Sequence, residues 1–127
     1  MDYLWVGLGS ALGGMARHGI ALITLKRFGP AFPWGTLVVN VCGSFLIGFL
    51  SILAIQGRGP FGAVAVQRFF LVGLLGGFTT FSSFSLQTMQ LVEKGHNLAA
   101  ALNVIGSLVS CLVAVWLGLR LGRSVWS

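Results

Sequence analysis

Four long apolar runs, separated by short polar breaks, make up nearly all of the 127 residues of this chain. The runs cover residues 4–25, 34–55, 66–92 and 98–119. A helix needs roughly 20 apolar residues to cross the hydrocarbon core of a bilayer, so each run is long enough to cross once. The sequence therefore predicts an all-α membrane protein, in which residues 1–127 form a single domain of four transmembrane helices.

The composition argues against a soluble protein and against a nucleic-acid-binding one. Hydrophobic residues make up 56% of the chain and charged residues 8%, with a mean hydropathy of +0.93, which places the chain among membrane proteins. The net charge of +6 comes from bases scattered at the ends of the runs, whereas a nucleic-acid interface needs them on one face. Cys42 and Cys111 lie inside apolar runs without CxxC spacing, so we predict small core residues rather than a disulfide or metal ligands.

Basic residues are almost evenly divided between the two predicted sides of the membrane. One side has four and the other three: Arg58, Arg68, Arg120 and Arg123 against Lys26, Arg27 and Lys94. Because bases favour the cytoplasmic side, a difference of one gives almost no preferred orientation. The balance predicts that copies insert both ways up and pair as an antiparallel, dual-topology homodimer.

The middle of the third run is unlike an ordinary spanning helix. It reads GLLGGFTTFSSFS from Gly73 to Ser85. Paired glycines and clustered hydroxyl residues predict a break in the third transmembrane helix, which is tolerated at membrane depth only against protein or a wet cavity. The break would free backbone carbonyls to hold a cation where two antiparallel copies meet. Hydroxyls such as those of Thr79 and Thr80 would line a path beside it.

Two phenylalanines next to this predicted break, Phe81 and Phe84, are three residues apart and therefore project from one face of a helix. The edge of an aromatic ring carries partial positive charge, so a ring presented edge-on stabilises an anion. Packing against lipid or protein is the alternative, and the two residues alone leave both interpretations open.

Amide and hydroxyl side chains also interrupt the second and fourth runs. Asn40 lies in the middle of the second run, where an unpaired amide costs a few kcal/mol, so it either bridges helices or donates its NH₂ to an anion. Ser44 extends the same face by one turn. Asn103, Ser107 and Cys111 are spaced by four and form one weakly polar stripe on the fourth run.

Arg17 is the only base deep within a predicted span. A charge at that depth is rare and usually functional, although a long side chain also reaches the interface. With hydroxyl and amide donors and no buried carboxylate, the electrostatics favour an anion as the permeant species.

Three motifs resemble those of the Fluc (CrcB-type) fluoride channel family, and the likeness covers nearly the whole chain. They are GGMAR from Gly13, GTLVVNVCGSF from Gly35 and GGFTTFSSF from Gly76. The resemblance implies a fluoride-selective channel, not an enzyme, in the plasma membrane, which is the inner membrane of bacteria. It would export fluoride passively and protect against fluoride toxicity, with two pores per antiparallel dimer.

The resemblance also implies roles for particular residues. Fluoride would be bound by Asn40, Thr80, Phe81, Phe84 and Ser107. A structural Na⁺ at the dimer interface would be held by the backbone carbonyls of Gly76 and Thr79, while Arg17 and Thr36 would belong to the vestibule or to structure. The partners would be fluoride, a second copy of the chain and the lipid bilayer.

Three other functions fit the sequence less well. A proton-coupled exporter of cationic drugs needs a buried carboxylate, but Asp2 is terminal and Glu93 lies in a predicted loop. A membrane enzyme needs a nucleophile with its base, or a metal cluster, and His18 and His96 have no evident partners. A structural assembly subunit would explain the glycines, but not Asn40 together with the hydroxyl residues.

Overall fold

The computed structural model describes residues 2–126, and every regular element within that range is helical. Helix α1 covers Asp2–Phe28 and helix α2 covers Trp34–Gln56, followed by a 3₁₀ turn at Gly59–Gly62. The third segment, Val64–Glu93, consists of α3 (Val64–Gln67), a π-helical stretch (Arg68–Leu74), α4 (Leu75–Phe78) and α5 (Phe81–Glu93). Helix α6 covers Asn97–Trp126. The prediction of an all-α protein is confirmed.

Three of these segments are long and apolar enough to cross a membrane, namely Trp34–Gln56, Val64–Glu93 and Asn97–Trp126. Helix α1 has 27 residues, which is also sufficient in length. It is less apolar, because Arg17 and His18 interrupt its middle. The structure therefore supports three of the four predicted spans by length and composition, and the fourth stays a prediction.

The predicted runs and the observed helices differ most at the end of the chain. The fourth run ends at residue 119, whereas α6 continues to Trp126. Hydropathy changes where the hydrocarbon ends, but backbone hydrogen bonds continue a helix into the headgroup layer. The run limits therefore indicate membrane depth better than they indicate helix ends.

Glycines bring the helix backbones into contact. Helix α1 packs against the π-helical stretch and α4, and α2 packs along α6. A Cβ atom at Gly77 would lie 2.5 Å from the carbonyl oxygen of Ser10, and one at Gly48 would lie 2.5 Å from that of Val115. Such close approach supplies the van der Waals contact that holds helices together in lipid. At these positions a side chain larger than hydrogen would separate the helices.

The two cysteines are not core residues in the single chain, so that prediction is wrong. Cys42 is exposed on α2 and Cys111 is only half-buried on α6. Lipid is as apolar as a protein interior, so an apolar run does not reveal which of its faces turns inward.

Candidate ion-binding site

The side chain of Asn40 holds the backbone of Thr80 by two hydrogen bonds. Nδ2 donates to the Thr80 carbonyl over 3.0 Å, and Oδ1 accepts from the Thr80 N–H over 2.8 Å. Thr79 and Thr80 are extended between α4 and α5, with ψ angles of 158° and 117°. In an unbroken helix the Thr80 N–H would donate to the carbonyl of Gly76. Asn40 therefore accepts the hydrogen bond that the Gly76 carbonyl would accept in an unbroken helix.

The hydroxyl of Thr80 begins the next helix. Its Oγ1 accepts from the N–H of Ser83 over 3.1 Å and caps the N-terminus of α5. In an unbroken helix that N–H would donate to the Thr79 carbonyl. The carbonyls of Gly76 and Thr79 are thus two of the acceptors that lose their usual helical donors at the break.

A cavity of about 330 Å³ lies between α2, the third segment and α6. Its walls are mostly apolar, with a small number of polar groups, which is typical of a site for a small ligand. Seven of the nine site residues predicted from the sequence line it: Asn40, Gly76, Thr79, Thr80, Phe81, Phe84 and Ser107. Ser44 and Cys111 line it as well, so the faces predicted for α2 and α6 do meet.

Phe81 and Phe84 stand side by side at this cavity. Their ring centroids are 5.5 Å apart and their planes are inclined by 47°. Phe84 is buried, with 9% of its surface exposed, whereas 74% of Phe81 is exposed in the single chain. The prediction that the two rings share one helix face is confirmed, and the Phe81 ring remains open to a further partner.

Behind the cavity, α5 and α6 are joined by a hydrogen bond from the buried residue Asn103. Asn103 is only 1% exposed, and its Nδ2 donates to the hydroxyl oxygen of Thr88 over 2.9 Å. Ser107 donates to Oδ1 of Asn103 over 3.3 Å. Asn103 is therefore on the predicted polar stripe but does not line the cavity, and it is hydrogen-bonded to Ser107, which does.

Sequence reasoning missed Gln87 and Thr88. Thr36, another predicted site residue, donates its hydroxyl hydrogen to Oε1 of Gln87 over 2.6 Å. Both missed residues follow Phe84 by about one turn in an apolar segment, and a polar side chain there has to find a partner. That signal was available in the sequence.

The remaining predicted residues lie away from the main cavity. Thr36 lines a second cavity of about 280 Å³, together with Gln87 and Lys94. Arg17 lines neither cavity, and it is half-exposed on α1. The structure thus does not bring Arg17 into the site.

Neither Asp2 nor Glu93 lines either cavity. Asp2 pairs with Arg68 over 3.6 Å at the start of the chain, and the exposed Glu93 ends α5. Within residues 2–126 there is no cluster of His, Cys, Asp or Glu side chains that could hold a metal. A cation at the main cavity would therefore have to use carbonyl and hydroxyl oxygens.

Known proteins resemble this chain over nearly its whole length. The family described as CrcB-like protein, Camphor Resistance (CrcB), matches residues 4–119. The fluoride-specific ion channel FluC of Opitutus terrae is 55% identical over 117 residues, which is 91% of this chain and 88% of the relative. That of Methylocella silvestris is 52% identical over 93% of this chain and 90% of the relative. That of Coxiella burnetii is 43% identical over 98% of this chain and all of the relative.

Proposed function

This chain belongs to the CrcB-like protein family, and from that membership we propose that it is a fluoride-specific ion channel. It is a multi-pass protein of the plasma membrane and not an enzyme. Fluoride moves through it passively, down its own gradient, so that a cell exposed to fluoride can lose it again.

The observation that carries the proposal is the double hydrogen bond between Asn40 and Thr80. It fixes the extended pair at Thr79 and Thr80, which supports the predicted break in the third transmembrane helix. It also leaves one hydrogen on Nδ2 of Asn40, because a primary amide has two and only one is donated to Thr80. The same side chain can then shape the site and donate to an anion that enters it.

The cavity offers fluoride several weak contacts in succession. The free amide hydrogen of Asn40, the hydroxyls of Thr80 and Ser107, and the ring edges of Phe81 and Phe84 replace water around the ion. Conduction requires sites that bind the ion well enough for it to enter but weakly enough for it to leave. Neutral donors meet that requirement better than a fixed positive charge, which agrees with the position of Arg17 outside the cavity.

A second copy of the chain completes the assembly in this proposal. Gly76 and the ring of Phe81 are exposed at the open side of the cavity, and an antiparallel partner would cover them. The nearly even division of basic residues supports insertion in both orientations. Helix α1 is the fourth span, since it packs along the π-helical stretch and α4 and therefore shares their depth.

A structural Na⁺ fits the carbonyls of Gly76 and Thr79. Both oxygens have lost their usual helical donors, and Gly76 has no side chain and no neighbour within 4 Å of its Cβ position. Carbonyls at an unwound point of a transmembrane helix are suitable ligands for Na⁺. Two copies would present four such oxygens, and the ion would supply a fixed positive charge between the pores.

Electrical recording from the purified protein in a planar bilayer tests the proposal. With a fluoride gradient and equal chloride on both sides, the current should reverse at the equilibrium potential of fluoride. A reversal potential at zero would contradict fluoride selectivity. A current that needs a proton gradient would contradict passive conduction.

A further inference from the structure

The hydrogen bond between α5 and α6 and its two neighbours within those helices can run in only one direction. Thr88 donates its single hydroxyl hydrogen to the carbonyl of Phe84 over 2.7 Å. A carbonyl only accepts, so Thr88 Oγ1 is left to accept from Nδ2 of Asn103, over 2.9 Å. The oxygen of the Asn103 amide therefore faces Ser107 and accepts its hydroxyl hydrogen over 3.3 Å.

Burial of Asn103 prevents its side-chain amide from turning over. Asn103 is 1% exposed and does not line the cavity, so water is not at hand to replace a partner that its amide loses. If the Asn103 amide turned over, its oxygen would face the oxygen of Thr88, and both would be acceptors without a hydrogen between them. Ser107 lines the cavity, yet its one hydrogen is directed to Asn103.

We propose that Asn103 is a positioning residue that sets how tightly the cavity holds an anion, an inference that rests on the proposed fluoride conduction. An anion beside Ser107 must compete with Oδ1 of Asn103 for the hydroxyl hydrogen. When the anion takes that hydrogen, a buried carbonyl oxygen loses its partner, and this loss opposes binding. The competition keeps the contact at Ser107 weak, as rapid exit of the ion requires.

Removing the competitor should tighten the site. In Asn103→Leu the hydroxyl of Ser107 is left with the backbone carbonyl four residues earlier, an acceptor that the helix already uses. The hydroxyl hydrogen is therefore given to the ion more readily. We expect the fluoride concentration at half-maximal flux to fall by about twofold, the factor for a weak hydrogen bond, because 3.3 Å is long for a hydroxyl donor. The maximal rate should fall as well, because release becomes slower.

Thr88 provides a second, milder test. Thr88→Val removes the acceptor that orients the Asn103 amide, which can then turn its NH₂ toward Ser107 and free the hydroxyl hydrogen. The half-saturating concentration should fall in the same direction. Thr88→Ser keeps the hydroxyl and is the matched control, which should retain the value of the unaltered protein.

The measurement is fluoride efflux from liposomes at a series of internal fluoride concentrations, with intact assembly of each variant checked by gel filtration. Asn103→Leu is measured again in a Ser107→Ala background, where the inference predicts no further change in half-saturation. Unchanged half-saturation in both Asn103→Leu and Thr88→Val, or an equal shift without Ser107, would overturn the inference while fluoride efflux by the unaltered protein still stands. Absence of fluoride efflux from the unaltered protein would overturn the proposed function, and this inference with it.

Discussion

Asn40 joins helix α2 to the third segment at Thr80, and the candidate site needs both. Its amide accepts the Thr80 N–H, which a helical carbonyl would otherwise accept, and donates to the Thr80 carbonyl. Asn40→Ala should therefore lose both hydrogen bonds and the donor to the ion. We expect fluoride efflux to be abolished and the free energy of unfolding to fall by about 2 kcal/mol, at roughly 1 kcal/mol per hydrogen bond. Efflux from liposomes and thermal unfolding in detergent measure the two effects.

Cys42→Ala is a suitable control for that variant. Cys42 lies on the same helix but is exposed and does not line the cavity, so efflux and unfolding should stay close to those of the unaltered protein. Efflux that persists in Asn40→Ala would show that the amide is not needed for conduction.

Phe84 tests the contribution of the ring edges. Phe84→Met keeps a large apolar side chain but removes the aromatic ring, so stability should change by no more than about 1.5 kcal/mol. The maximal fluoride efflux should fall by about tenfold, which corresponds to ~1.4 kcal/mol. Phe70→Met is the matched change, because the Phe70 ring packs against Phe61 and Phe69 outside the cavity. Equal efflux in the two variants would refute a role for the Phe84 ring.

The sequence predicts which site residues share a helix face, but not which residues on different helices contact each other. Spacing by three and four placed Phe81 beside Phe84 and Asn40 beside Ser44, and the cavity contains all four. The partner of Asn40 is 40 residues away in the chain, and spacing within one helix carries no information about such a contact. For the same reason the spacing puts Asn103 on the polar stripe with Ser107, as the structure does, but cannot show that Asn103 lies behind the cavity.

At the scale of elements, the fit between helices depends on individual glycines. A Cβ atom at Gly48 would lie 2.5 Å from the carbonyl oxygen of Val115, so Gly48→Ala should push α2 away from α6. We expect the free energy of unfolding to fall by about 1–3 kcal/mol, measured by thermal unfolding in detergent. Gly7→Ala, at a position with no neighbour within 4 Å of its Cβ, should leave stability unchanged or raise it by about 1 kcal/mol. Equal effects at both positions would contradict the packing seen between α2 and α6.

The sequence predicted which segments are helices better than it predicted their limits and surroundings. Long apolar runs located the helices because a backbone in lipid must satisfy its own hydrogen bonds. They did not locate the end of α6 at Trp126, because the helix continues beyond the hydrocarbon core of the bilayer. They also did not distinguish inward from outward faces, which is why Cys42 was misplaced.

For the whole molecule, the central expectation is a pair of chains in opposite orientations. The bases on the two predicted sides differ by one, so a reporter fused to the C-terminus should be found on both sides of the membrane in similar amounts. Adding two bases to one side, with Gln56→Lys and Ser127→Lys, should shift the reporter to a single side. A reporter found on one side only in the unaltered protein would refute dual topology.

Fluoride conduction itself is tested most directly by efflux from liposomes that contain only the purified, unaltered protein. A fluoride electrode follows the release of internal fluoride, and a chloride electrode follows a parallel sample loaded with chloride. We predict rapid release of fluoride with little release of chloride. Failure to release fluoride, or release of chloride at a similar rate, would contradict a fluoride-specific channel.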